Sequence, residues 1–220
     1  MTATEWDGGT SAAALLRALE RKRKLLPSLR KLQLFAAACL KCQPELLGYA
    51  WARPILDFAE RVADDPLPDA EYRDRRAELF AAVPAVPGGW GLSGASVRLW
   101  RSRLETLFDM YEGRPGILHH RAAANLADAA KQSRFTVALL REVVGNPYRP
   151  VALDPAWLTS DVRALATGIH ADRAFDRMPI LADALQDAGC ADEYVLRHCR
   201  DARQMHIRGC WVVDLLLGKD

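Results

Sequence analysis

The stretch HIRGCWVVDLLLGKD, residues 206–220, decides how this chain is read. On a helix, Trp211, Val212, Val213, Leu215, Leu216 and Leu217 cover nearly every direction around the axis. A helix that is apolar all round has to be buried on every side. The terminal run 208–217 is therefore expected to be a central core element, around which other helices assemble. Asp214 is its lone carboxylate, and a buried carboxylate must be paired or protonated. Arg177, Arg200, Arg208 or the free N–H groups at a helix start are the expected partners. A structural role is expected for Asp214, because no nucleophile accompanies it.

Upstream, the same helical periodicity recurs. Thr10 or Ser11 caps a helix over 10–26 carrying Leu15, Leu16 and Leu19. Pro27 and Ser28 start a second helix, to about Cys42. Pro44 opens a third, which Pro54 is expected to kink. Residues 69–83 form a short amphipathic helix. PAVPGGWGLSG (84–94) is the clearest linker, followed by helical runs over 95–113 and 117–145. NPYRPVALDPAWLTS (146–160) is read as an ordered extended connector held by Tyr148 and Trp157. Helices over about 159–172, 178–188 and 191–200 precede the terminal run. No period-two alternation and no Asn-Gly or Asp-Gly hairpin turn is found. The fold class expected is all-α, an irregular multi-helix bundle or a short α-solenoid of helical hairpins. Its parts are an N-terminal helical part (1–83) and a C-terminal helical part (95–220) with a buried terminal helix, packed as one unit.

At 220 residues, half of them apolar and a quarter charged, the chain has globular composition. Its longest apolar stretches fall far short of the roughly 20 residues that span a bilayer. No secretory leader is visible, so no membrane association and a cytoplasmic location are expected. The net charge of +2 conceals a basic cluster in which Arg17, Arg21, Lys22, Arg23, Lys24, Arg30 and Lys31 face Glu20 alone. It is a solvated helix face or, as the alternative, a footprint for nucleic acid.

An odd count of five cysteines argues against a disulfide framework. Cys190, Cys199, His206 and Cys210 are spaced so that thiolates and imidazole could close a tetrahedral zinc site. The competing reading is that these are small core residues. Cys39 and Cys42 share a helix face but lack two distant partners. His119, His120 and His170 are read as ordinary helix residues, and Asp183 and Asp187 as a solvated pair at i, i+4. No phosphate-binding loop, dinucleotide fingerprint or nucleophile elbow is present.

The segments NPYRPVALDPAWLT (146–159), AFDRMPILADALQDAGC (174–190), HCR (198–200) and HIRGCWVVDLLLGK (206–219) together resemble the C-terminal signature of a bacterial protein family abundant in planctomycete genomes. TEWDGGTSAAALLRAL and RKLQLFAAACLKC are similar to that family's opening. The family often has further cysteines after the Leu-Phe-Ala stretch, and here only Cys39 and Cys42 stand there. Residues 179–200 are also similar to a short helical module that accompanies repeat proteins in the same bacteria, which implies a protein-interaction piece by analogy. Membership implies no particular reaction.

Three functions compete. A non-enzymatic helical interaction or adaptor protein with a protein partner leads. It would expose an apolar or aromatic patch near Trp90, Trp100 or Tyr148. A zinc-binding protein built on the C-terminal Cys/His cluster is second. A nucleic-acid-associated protein working through residues 17–31 is third.

Overall fold

The structure, a computed structural model, describes residues 1–84, 92–110, 117–129 and 133–219. It is all-α, and no strand occurs among the described residues. The helices are α1 (Ala3–Gly8), α2 (Ala12–Glu20), α3 (Leu29–Lys41), α4 (Pro44–Leu47), α5 (Ala52–Asp64), α6 (Asp69–Ala81), α7 (Leu92–Asp109), α8 (Ile117–Ala129), α9 (Ser133–Val144), α10 (Ser160–Asp172), α11 (Met178–Asp187), α12 (Glu193–Arg200) and α13 (Trp211–Leu217). None is long and apolar enough to cross a membrane. The chain forms two compact units: residues 10–136, and residues 1–9 together with 137–220.

In the unit 10–136, the Ser11 hydroxyl accepts from Ala14 N–H and starts α2, while Ser28 does the same for α3 through Lys31 N–H. α3 is buried on nearly every side and packs against α5 and α8, and α2 packs against α8. The expected long third helix is divided. It stops after Leu47 and restarts at Ala52, with Gly48 and Tyr49 closing turns onto Pro44 and Leu46. Pro54 therefore lies in the first turn of α5, where its missing N–H costs nothing, and no kink is needed. Phe58, Tyr72, Phe80 and Phe108 form an aromatic cluster, and Tyr72 Oη donates to the Phe108 carbonyl at 3.2 Å. Most of the proline–glycine segment expected as a linker, residues 85–91, lies outside the described residues, as does Trp90.

The other unit takes its first helix from the opposite end of the sequence. Arg141 Nη2 donates to the carbonyls of Trp6, Asp7 and Gly9 at 2.6, 2.5 and 2.9 Å, gathering the carbonyls at the C-terminal end of α1. Asn146 Nδ2 donates to Ala3 O and Asp7 Oδ1. Trp6 is fully buried, its ring 6.2 Å from that of Tyr148. These ties group residues 1–9 with the C-terminal unit, and not with the helices that follow them as the sequence division expects.

The core of this unit is made by α10, α11, α12 and α13, with Trp157 inserted from the connector 146–160. Val212 and Val213 are buried, and so are Trp211, Asp214 and Leu216, whereas Leu215 and Leu217 are half-buried. The expected interior helix is present. It starts later than the expected 208–217, because Gly209 takes positive φ (89°) just before it, and Gly218 (64°) ends it. Arg200, one of the expected partners of Asp214, binds Asp183 at 2.7 Å and Gln186 at 2.6 Å.

Gly145 ends α9 at φ +68°, and a Cβ built there would lie 3.1 Å from Trp211 Cγ. Both the left-handed backbone and the close indole demand glycine. Gly145→Ala is expected to destabilise this unit by about 1–3 kcal/mol, readable as a drop in the thermal midpoint. An unchanged midpoint would refute the close packing of α9 on α13.

Candidate metal centre

Four potential ligands meet in the C-terminal unit: Glu142 of α9, His198 of α12, His206 of the loop 201–210, and Cys210 at the start of α13. One ligand atom from each lies within 4.8 Å of all the others. His198 Nε2 is 3.3 Å from Cys210 Sγ and 3.3 Å from Glu142 Oε2. His206 Nδ1 is 3.1 Å from Glu142 Oε1 and 4.0 Å from Cys210 Sγ.

Local structure fixes each position. The Asp192 carboxylate accepts from Tyr194 and Val195 N–H and starts α12, whose Val195, Leu196 and Cys199 are buried. His198, on the adjacent face, turns toward Glu142. In the loop, Asp201 accepts from Arg203 N–H through its side chain and from Gln204 N–H through its carbonyl, folding the chain back. The turn from Ile207 to Cys210, with Gly209 at positive φ, brings His206 and Cys210 to the same point.

Glu142 is completely buried. Its carboxylate accepts from Gln204 Nε2 at 2.9 Å and His206 Nδ1 at 3.1 Å, which offsets the cost of burying the charge. Burial lowers the pKa of His198 to about 4, against the opposing pull of Glu142. The ring is therefore neutral at neutral pH. Its Nδ1 accepts from the Trp211 indole N–H at 3.2 Å, so its single proton sits on Nε2, among the other ligand atoms. Burial pushes the Cys210 thiol well above its ordinary value, and the Glu142 charge adds to this.

The sign of the resulting pH dependence follows from His198. Between its unfolded pKa near 6.5 and its folded value near 4, the unfolded chain binds a proton that the folded chain does not. Chelator-treated protein should therefore lose stability as pH falls from 6.5 to 4, by on the order of 3 kcal/mol, with no further loss from this group below that window. A flat denaturant midpoint across it would contradict a neutral, buried His198.

Two of the four ligands expected from sequence, His206 and Cys210, belong to this cluster. Cys190 and Cys199 do not belong to it. They are buried among Ile169, Leu181, Leu185 and Val195, with thiols raised by burial, Cys199 to about 12. Cys39 is buried and Cys42 half-buried in the other unit, both thiols raised by burial. Glu142 and His198 were not among the expected ligands. Their signal was available: Glu142 is the one acid in the largely apolar run VALLREVVG, and His198 adjoins a buried cysteine.

The basic segment does not form one free stripe. Arg30 pairs with Asp64 at 2.6 Å, Lys31 is buried, and Arg17 pairs with Asp128 at 2.8 Å, while Arg21 and Lys24 are exposed. The expected aromatic patch is not found at Trp100, which is buried, or at Tyr148, which is half-buried against Trp6. His119 is buried and Asp183 and Asp187 are exposed. Comparison with family models, with curated proteins and with solved structures returns no match.

Proposed function

We propose that this is a non-enzymatic helical protein whose C-terminal unit is held together by one zinc ion on Glu142, His198, His206 and Cys210. The observation that carries the reading is the set of separations between donor atoms. Zinc bound tetrahedrally at its usual bond lengths places nitrogen, oxygen and sulfur donors about 3.3–3.6 Å apart. Four of the six pairings here lie at 3.1, 3.3, 3.3 and 4.0 Å, with Glu142 facing the two imidazoles through different carboxylate oxygens, and one donor atom from each residue lies within 4.8 Å of the others. Two imidazoles, a thiol and a carboxylate are a borderline-soft set that suits zinc better than magnesium or calcium.

Four protein ligands leave no position for a substrate or an activated water, which favours a structural ion over a catalytic one. Gln204 on the Glu142 carboxylate supplies the outer hydrogen bond that orients such a ligand. Binding would release the Cys210 proton and would move the His198 proton from Nε2 to Nδ1 and the His206 proton from Nδ1 to Nε2, so that the Trp211 hydrogen bond to His198 Nδ1 would be given up. That bond is worth about 0.5–1.5 kcal/mol net, against roughly 10–16 kcal/mol for structural zinc. The ion wins by a wide margin.

An adaptor role is consistent with this: a metal-braced helical unit presents a fixed surface without chemistry of its own. Elemental analysis of protein purified without added metal tests the reading. One zinc per chain is the expected result, and protein that stays zinc-free after dialysis against micromolar zinc would overturn it.

A further inference from the structure

A ligating histidine almost always donates its second ring N–H to an acceptor, which fixes the tautomer that leaves the other nitrogen open to the metal. At His198 the arrangement is reversed. The Trp211 indole N–H donates to Nδ1 at 3.2 Å, which keeps the imidazole proton on Nε2, the nitrogen that faces Cys210 and Glu142. Trp211 has no acceptor of its own, so it cannot support the other tautomer.

The indole is also held in place. It stacks on Tyr194 with ring centroids 4.8 Å apart and planes 19° apart. The backbone at Gly145 also lies against it, so close that a Cβ built there would come within 3.1 Å. Arg149 in turn lies over the Tyr194 ring, 5.0 Å from its centroid. When a metal takes Nε2, the proton belongs on Nδ1, and two N–H groups then face one another.

We propose that Trp211 is a positioning residue that holds His198 in the metal-free tautomer, so that the Trp211–His198 hydrogen bond and metal occupancy exclude each other. This rests on the zinc reading above and adds its regulation. The indole N–H sets a threshold that zinc must exceed, and whatever moves the Tyr194–Trp211 stack changes the affinity of the centre.

Zinc titrations of the full chain in a competing chelator, wild type against Trp211→Phe, test it together with the indole ¹H–¹⁵N signals of the wild type. Phenylalanine keeps a ring on Tyr194 and removes the donor. The expected result is a zinc Kd roughly 2- to 10-fold lower in W211F, the worth of one neutral hydrogen bond. In the wild type, the Trp211 indole signal should move upfield on zinc addition, while the other tryptophan signals hold still. Equal or weaker zinc binding by a folded W211F overturns the proposal, as does a Trp211 signal unmoved by zinc. If W211F does not fold, the wild-type signal decides alone. Absence of zinc binding in both chains overturns the zinc reading itself, a distinguishable outcome.

Discussion

Cys210→Ala and His206→Ala are each expected to abolish stoichiometric zinc and to lower the thermal midpoint of the C-terminal unit by more than about 10 °C. The size follows from linkage. A ligand that binds only the folded state adds its whole binding free energy to stability, and structural zinc supplies roughly 10–16 kcal/mol in small domains. Each kcal/mol is worth about 4–8 °C in a domain of 60–100 residues, so losing even a fraction of the binding energy is readily measured. Cys190→Ala and Cys199→Ala are the controls. Both thiols are buried in the apolar cluster and outside the four-ligand group, so these variants should keep their zinc. They should lose about 1–3 kcal/mol from cavities alone. Calorimetry with parallel metal analysis separates the two classes. Loss of zinc in the controls would mean the ligand set is wrong.

Truncation before Trp211 should leave the C-terminal unit unfolded with or without metal. It removes Trp211, Val212, Val213 and Leu216, all buried. Burying one such side chain contributes about 1.5–3 kcal/mol, so the loss is comparable to the 5–15 kcal/mol that hold a typical domain. The truncated chain should show reduced far-ultraviolet helicity, and the amides of 160–200 should exchange without protection. Exchange protection of those amides in the truncated chain would contradict α13 as the interior element. The unit 10–136 contains none of these residues, and its exchange behaviour provides the internal reference.

Much of this architecture was legible in the residues. The all-round apolar run at 211–217 announced its own burial, and Ser11 and Ser28 marked helix starts. The split between α4 and α5 was harder to see, because Gly48-Tyr49-Ala50-Trp51 contains no strong breaker and Pro54 drew attention instead. The grouping of α1 with the C-terminal unit was invisible. It depends on Arg141 reaching carbonyls more than 130 positions away, and backbone carbonyls carry no sequence signature.

The four-residue cluster was half legible for a similar reason. Cysteine and histidine spacing near the C-terminus drew His206 and Cys210 into the candidate set, since thiols are rare enough to be noticed. It also drew in Cys190 and Cys199, whose chemistry is the same but whose side chains fill the apolar core. Sequence spacing cannot tell a ligand thiol from a packing thiol. Glu142 was passed over because glutamate is common on helices and normally solvated. Its complete burial in the structure marks it as a group that must be partnered, which the apolar run around it only hinted at.

The central claim is the composition of the coordination shell, and zinc K-edge X-ray absorption on the zinc-loaded full chain reads it directly. The account predicts one sulfur at about 2.3 Å and three nitrogen or oxygen donors at about 2.0–2.1 Å, with the outer-shell scattering of two imidazoles. A shell with two or three sulfurs would return Cys190 or Cys199 to the centre and contradict the site described, and six oxygen donors would show that zinc binds elsewhere on the surface.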